Sequence, residues 1–138
     1  MAELKRFGVS LEDDLLKKFD RIISAEQYPN RSEAIRDLIR EKLVKKEWLG
    51  KEQVAGSITL VYDHHKRDLL NLLVDIQHDF HHLIVANQHI HLDHNNCLEI
   101  IVVKGKPGDV EKLGNKLRSA KGVKYGQLNM ATTGKAIE

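Results

Sequence analysis

Residues 4–11, LKRFGVSL, set Phe7, Val9 and Leu11 on one face and Arg6, Gly8 and Ser10 on the other. That alternation predicts a short strand with one face to bury, yet nothing nearby in the chain can pair with it. The following S-L-E-D gives Ser10 an acidic partner at Asp13, a capping-box start for a helix. Leu15, Leu16, Phe19, Ile22 and Ile23 then recur at helical spacing. QYPNRS breaks this helix, and Ser32 is the expected cap of a second, striped by Ala34, Ile35, Leu38, Ile39 and Leu43. A strand and two helices in about 45 residues bury too little core alone, and a lone strand leaves its edges unpaired. Pairing the strand with its symmetry mate in a dimer repairs both defects.

This is the logic of a ribbon-helix-helix module, expected over residues 1–48. The polar WLGKEQ marks a boundary, with 49–53 as linker. Residues 54–138 then read as strand GSITLVYD, helix KRDLLNLLVDIQHDFHHL, strands IVANQHIHLD and CLEIIVVKG, helix GDVEKLGNKLRSAKG and strand VKYGQLNMA. The order β-α-β-β-α-β predicts a ferredoxin-like sheet with both helices on one face. The fold class is α+β.

The single cysteine, Cys97, allows no intramolecular disulfide, and no apolar signal-peptide core opens the chain, so a cytoplasmic protein without a membrane span is expected. Residues 1–48 hold 11 Lys+Arg against 10 Asp+Glu, and the remainder the same numbers. Neither half is a basic domain, so any nucleic acid must be held by a few well-placed cations. All eight histidines lie between His64 and His94, which points the chemistry at the second half.

HIHLDHNNC, residues 89–97, puts His89 and His91 on one strand face, and the turn DHNN returns the chain so that Cys97 lies beside them. On the second strand Leu98, Ile100 and Val102 read as the helix-covered side. Cys97, Glu99, Ile101 and Val103 then point away from the helices, on a face read as a subunit interface. In the helix before this hairpin, Leu69, Leu72, Leu73, Ile76 and Phe80 form the apolar stripe. His78 sits opposite it, free to complete a site on a neighbouring chain. Three imidazoles and a thiolate suit zinc in a tetrahedron, or copper or nickel in a square plane. A closed shell of four leaves no open position for a substrate, and neither HExxH nor a paired-carboxylate site is present, so an enzyme is not expected.

The segments NRSEAIRDLIR, VYDHHKRDL, IQH, HIHLDHNNCLEI and VVKGKPGDV together resemble the nickel-responsive ribbon-helix-helix repressors of the NikR family over essentially the whole length. The resemblance implies Ni(II), one per subunit, held by His89, His91 and Cys97 with His78 from another subunit. Tyr62 and Glu99 match positions that orient the ligands. It also implies a homotetramer: two DNA-binding dimers flanking a core of ferredoxin-like (ACT-like) domains, with the paired strands entering the major groove of double-stranded operator DNA. Arg6, Gly8 and Ser10 would occupy the outward face of that ribbon, where Arg6 offers a bidentate pair to guanine. A threonine is familiar at the Gly8 position, and glycine has no side chain to read a base. Asn30, Arg31 and Ser32 at a helix start offer a phosphate site. Glu33 and Asp37 match residues that help hold a second cation in the family, although Arg36 and Arg40 offer them ordinary ion pairs. His64 and His81 are candidates for weaker metal sites.

The expected function is a nickel-responsive repressor of nickel-uptake genes without an organic cofactor. The alternative is a cytoplasmic metal-buffering or chaperone protein, which leaves the N-terminal strand without a purpose.

Overall fold

The computed structural model describes residues 2–138. The chain divides into two compact units, one ending at Arg40 and one running from Glu41 to Glu138. The first holds helix α1 (Asp13–Ala25) and most of α2 (Arg31–Trp48). Residues 2–12 form no β-ladder, and Leu4, Phe7, Val9 and Leu11 are exposed. A two-stranded ribbon needs a second edge, which one chain does not supply.

Both helix starts differ from expectation. Helix α1 is preceded by Glu12, which makes no side-chain cap, so Ser10 is not the cap; Asp13 and Asp14 place negative charge at the positive end of the helix instead. At α2 the cap is Asn30, whose Oδ1 accepts the Glu33 N–H at 2.9 Å, and Ser32 lies inside the first turn. Ile23 and Ala34 are buried, whereas Leu15, Ile22, Leu38 and Ile39 stay exposed. Two helices cannot enclose a core of their own.

The second unit has the expected order: β1 (Val54–Asp63), α3 (Arg67–Asp79), β2 (Ile84–His91), β3 (Asn96–Gly105), α4 (Pro107–Arg118) and β4 (Val123–Met130). Its antiparallel sheet runs β2-β3-β1-β4. The last turns of α2 belong to this unit, with Val44 and Trp48 packed into its core. That is why the compact units divide within a continuous helix.

The predicted facing of β3 is reversed. Val54, Ile58, Leu60 and Tyr62 on β1 pack with Leu69 and Leu73 of α3 and with Val110, Leu113 and Leu117 of α4. The register pairs Tyr62 with Cys97, Leu60 with Glu99, Ile58 with Ile101 and Gly56 with Val103. Directly opposed residues share a face, so Cys97, Glu99, Ile101 and Val103 lie beneath the helices, all at 0–1% exposure. Leu98, Ile100 and Val102 are on the open face. Both parities of β3 are apolar, and Glu99 made its own look solvent-facing; hydrogen bonds rather than water satisfy it. The open face carries half-buried Val61, Leu98 and Ile100 with exposed Ile90, Val102 and Tyr125.

Candidate metal centre

The β2–β3 hairpin sets the site. Asp93 Oδ1 accepts the backbone N–H groups of Asn95 (2.9 Å) and Asn96 (2.8 Å), closing the turn. The side-chain amide of Asn96, followed by these N–H groups, holds the Asp93 carboxyl below its ordinary range. The ladder then pairs His91 with Cys97 and His89 with Glu99. All four therefore share the Tyr62 face, now identified as the helix side.

His89 Nδ1 lies 3.8 Å from Cys97 Sγ and 3.4 Å from the Tyr62 hydroxyl, and its Nε2 lies 3.4 Å from Glu99 Oε2. The thiol is buried, while His89 is half exposed at the rim. Glu99, also buried, accepts the Tyr62 O–H at 2.6 Å on one oxygen. Gln77 Nε2, at 3.0 Å, and Asn87 Nδ2 donate to the other. Burial, and then the hydrogen bond to Glu99, raises the Tyr62 phenol well above its ordinary range, so Tyr62 is a donor at any physiological pH.

Gln77 and Asn87 were not singled out from the sequence. Asn87 also donates to Gln77 Oε1 at 2.7 Å, which ties α3 to β2. Parity was the available signal: Asn87 is in phase with His89 and His91 along β2. Gln77 had none, because only the fold brings it against Glu99.

The remaining candidate ligands stand apart. The His91 ring stacks on His64, centroids 4.4 Å apart and planes 2° from parallel. His64 Nδ1 is buried without a hydrogen-bond partner; burial first, and then the nearby His65 and His91, lowers its pKa and favours the neutral ring. His78 is exposed on the outer side of α3, its ring 6.0 Å from His81. Among the described residues no three metal-binding side chains converge. One chain thus presents a buried thiol and an adjacent imidazole, with a second imidazole stacked on His64 and a third on the outer side of α3. That donor chemistry fits a late first-row divalent metal such as nickel.

In the first unit, Arg6, Gly8 and Ser10 are exposed in the unpaired segment. The Arg31 guanidinium donates to both Asp20 oxygens, at 2.9 and 2.8 Å, and holds that carboxyl below its usual range. Glu33 pairs with Arg36 at 2.6 Å, whereas Asp37 accepts the Tyr28 O–H at 2.7 Å and is not paired with Arg40.

Residues 55–131 match the family model for the NikR C terminal nickel binding domain, and residues 5–46 match the ribbon-helix-helix protein, copG family. The chain belongs to the NikR family. A protein of Syntrophus aciditrophicus is 59% identical over 97% of this chain and 98% of its own, and one of Chlorobium limicola is 57% identical over 97% and 100%. One of Desulfovibrio desulfuricans is 55% identical over 99% of each. Their names all read "nickel-responsive regulator". The solved structure of the uncharacterized protein TM1266 from Thermotoga maritima aligns with a TM-score of 0.51 over 56% of this chain and 95% of its own, at 18% identity. That likeness concerns the fold alone. As a NikR, the chain joins a DNA-binding module to a nickel-binding domain; its family is one of transcriptional regulators, not an enzyme class.

Proposed function

We propose that this regulator represses nickel-uptake genes when Ni(II) is bound, as a cytoplasmic homotetramer on operator DNA. The observation that carries the reading is the Cys97–His89 pair at 3.8 Å, a buried thiol beside a half-exposed imidazole, in a chain that also holds a ribbon-helix-helix module. A buffering protein has no use for that module.

In this reading each subunit holds one nickel ion through His89, His91 and Cys97, with His78 from another subunit. Nickel supplies a fixed charge and a preferred ligand geometry; the chain supplies orientation. Glu99 steers His89, and Tyr62, Gln77 and Asn87 hold Glu99. The subunit contact is reassigned from Ile101 and Val103, which are core, to the open sheet face of Val61, Leu98, Ile100, Val102 and Tyr125. The working division is a DNA-binding domain over 1–48, a linker at 49–53 and a nickel-binding domain from 54. His64 and His81 take metal at higher load, and Glu33 with Asp37 serves a second cation only if their present partners are released.

Operator binding measured across several divalent metals tests the proposal. Sequence-specific binding that strengthens with nickel is expected; nickel binding without any effect on DNA would leave the buffering alternative. Two substitutions refine the test. Arg6→Ala should lower specific operator affinity by about 1–3 kcal/mol, the scale of one bidentate base contact, with nickel affinity unchanged. An equal loss on random DNA would instead make Arg6 a phosphate contact. Tyr62→Phe should weaken nickel binding by about 10–100-fold, the usual cost of losing a group that orients a ligand. Full nickel affinity in the folded variant would remove Tyr62 from the site.

A further inference from the structure

The end of α2 packs on the second unit through Val44 and Trp48. Trp48, the only tryptophan, is 5% exposed, and its Nε1–H donates to the Ala131 carbonyl at 2.9 Å. The Ala131 N–H in turn donates to the Ala55 carbonyl on β1 at 3.0 Å. The ring lies over Gly56 of β1: a Cβ built there would be 3.4 Å from Trp48 Cζ2 and Cη2, and 2.6 Å from the Asn129 carbonyl. Only glycine lets the neighbouring strand approach this closely, and the ring packs on the same backbone position. A second, weaker tie is the Thr132 hydroxyl, which donates to Glu47 at 2.9 Å.

The other end of β1 holds Tyr62, hydrogen-bonded to Glu99 and near His89. One paired strand, gripped on both sides by β3 and β4, therefore joins the metal centre to α2 over about 20 Å, at roughly 3.3 Å per residue. The residues after Trp48 that read as a linker come after this fastening, so they are not the first joint on the way from α2 to the sheet.

We propose that Trp48 is a positioning residue for regulation: by clamping the last turn of α2 onto Gly56 and Ala131, it lets the state of the metal centre bias α2 through β1. This rests on the nickel-dependent DNA-binding reading above. The clamp is two-sided, apolar against the strand and polar at the N–H, as a buried indole requires. Removing it leaves both sites intact while loosening the element they share.

The test compares operator affinity with and without nickel for the full-length protein, Trp48→Ala and Trp48→Phe, with nickel affinity and thermal unfolding measured for each. Allosteric coupling commonly spans a factor of about 5 to 150; whatever ratio the parent shows, Trp48→Ala should drive it toward one. Trp48→Phe keeps an apolar ring but loses the hydrogen bond, and should retain an intermediate ratio, which serves where the alanine variant folds poorly. Nickel affinity should stay within about twofold of the parent, less than an altered outer partner costs. An unchanged ratio in both variants overturns the proposal. So does a loss of nickel affinity that parallels the loss of coupling, since Trp48 would then merely support the sheet. A parent protein whose DNA binding ignores nickel would instead overturn the functional reading, before any variant is compared.

Discussion

Replacing Cys97 with alanine should abolish tight nickel binding, reducing affinity by more than about 100-fold, beyond the roughly 10–100-fold that outer partners cost. The thiolate-to-metal absorption should vanish with it, because the chain contains no other sulfur of that kind. The fold should survive. Cys97 is 1% exposed and packs in the core, so the substitution removes one buried sulfur and costs about 1–2 kcal/mol, against the 5–15 kcal/mol typical of a domain. Titration with nickel, followed by absorbance and by calorimetry, checks both statements. Undiminished affinity in a folded variant would remove Cys97 from the ligand set. In the parent protein, binding should weaken on acidification, because a thiolate and neutral imidazoles must shed protons before they can coordinate.

The order of elements was legible because each has its own period. The alternation in 54–63 and the stripe Leu69, Leu73, Ile76 carry the strand and helix patterns with little ambiguity, and the turn DHNN marks the hairpin. The relation of His89 to Cys97 followed from the hairpin register alone. The side of the sheet on which they lie did not. A strand apolar on both faces carries no parity signal, and only the cross-strand partners of Tyr62 and Leu60 decide it. The roles of Gln77 and Trp48 were hidden for a related reason: each acts across a long stretch of sequence, Gln77 on Glu99 and Trp48 on Ala131. The caps misled differently. Ser10 and Ser32 had suitable neighbours, but α2 starts two residues earlier on Asn30, which accepts the Glu33 N–H, and α1 begins after Glu12 with charge in place of a cap. Residues 4–11 form no ladder in one chain, and in the proposed dimer the first strand would find its partner in the second copy.

Mixing two inactive variants should restore nickel sites if the centre is shared between subunits. Within one chain Gln77 points inward to Glu99, while His78, the next residue and about 100° further round α3, is exposed and lies near His81 rather than Cys97. His89 and Cys97 lie on the helix side of the sheet, so the sheet face by itself does not require sharing. On α3, Gln77 turns to Glu99 and the His78 imidazole outward, which is the placement that a shared site would use. His78→Ala and Cys97→Ala homo-oligomers should each lack tight nickel binding, at about the 100-fold level or more, past the cost of an outer partner. After subunit exchange, some sites join an intact His78 from one chain to an intact Cys97 from another, and tight binding should return in those oligomers together with the thiolate absorption. Mass spectrometry of the intact assemblies counts mixed oligomers independently of the metal. Mixed oligomers that form in quantity yet recover no tight nickel would show that His78 and Cys97 serve the same chain, or that His78 is not a ligand.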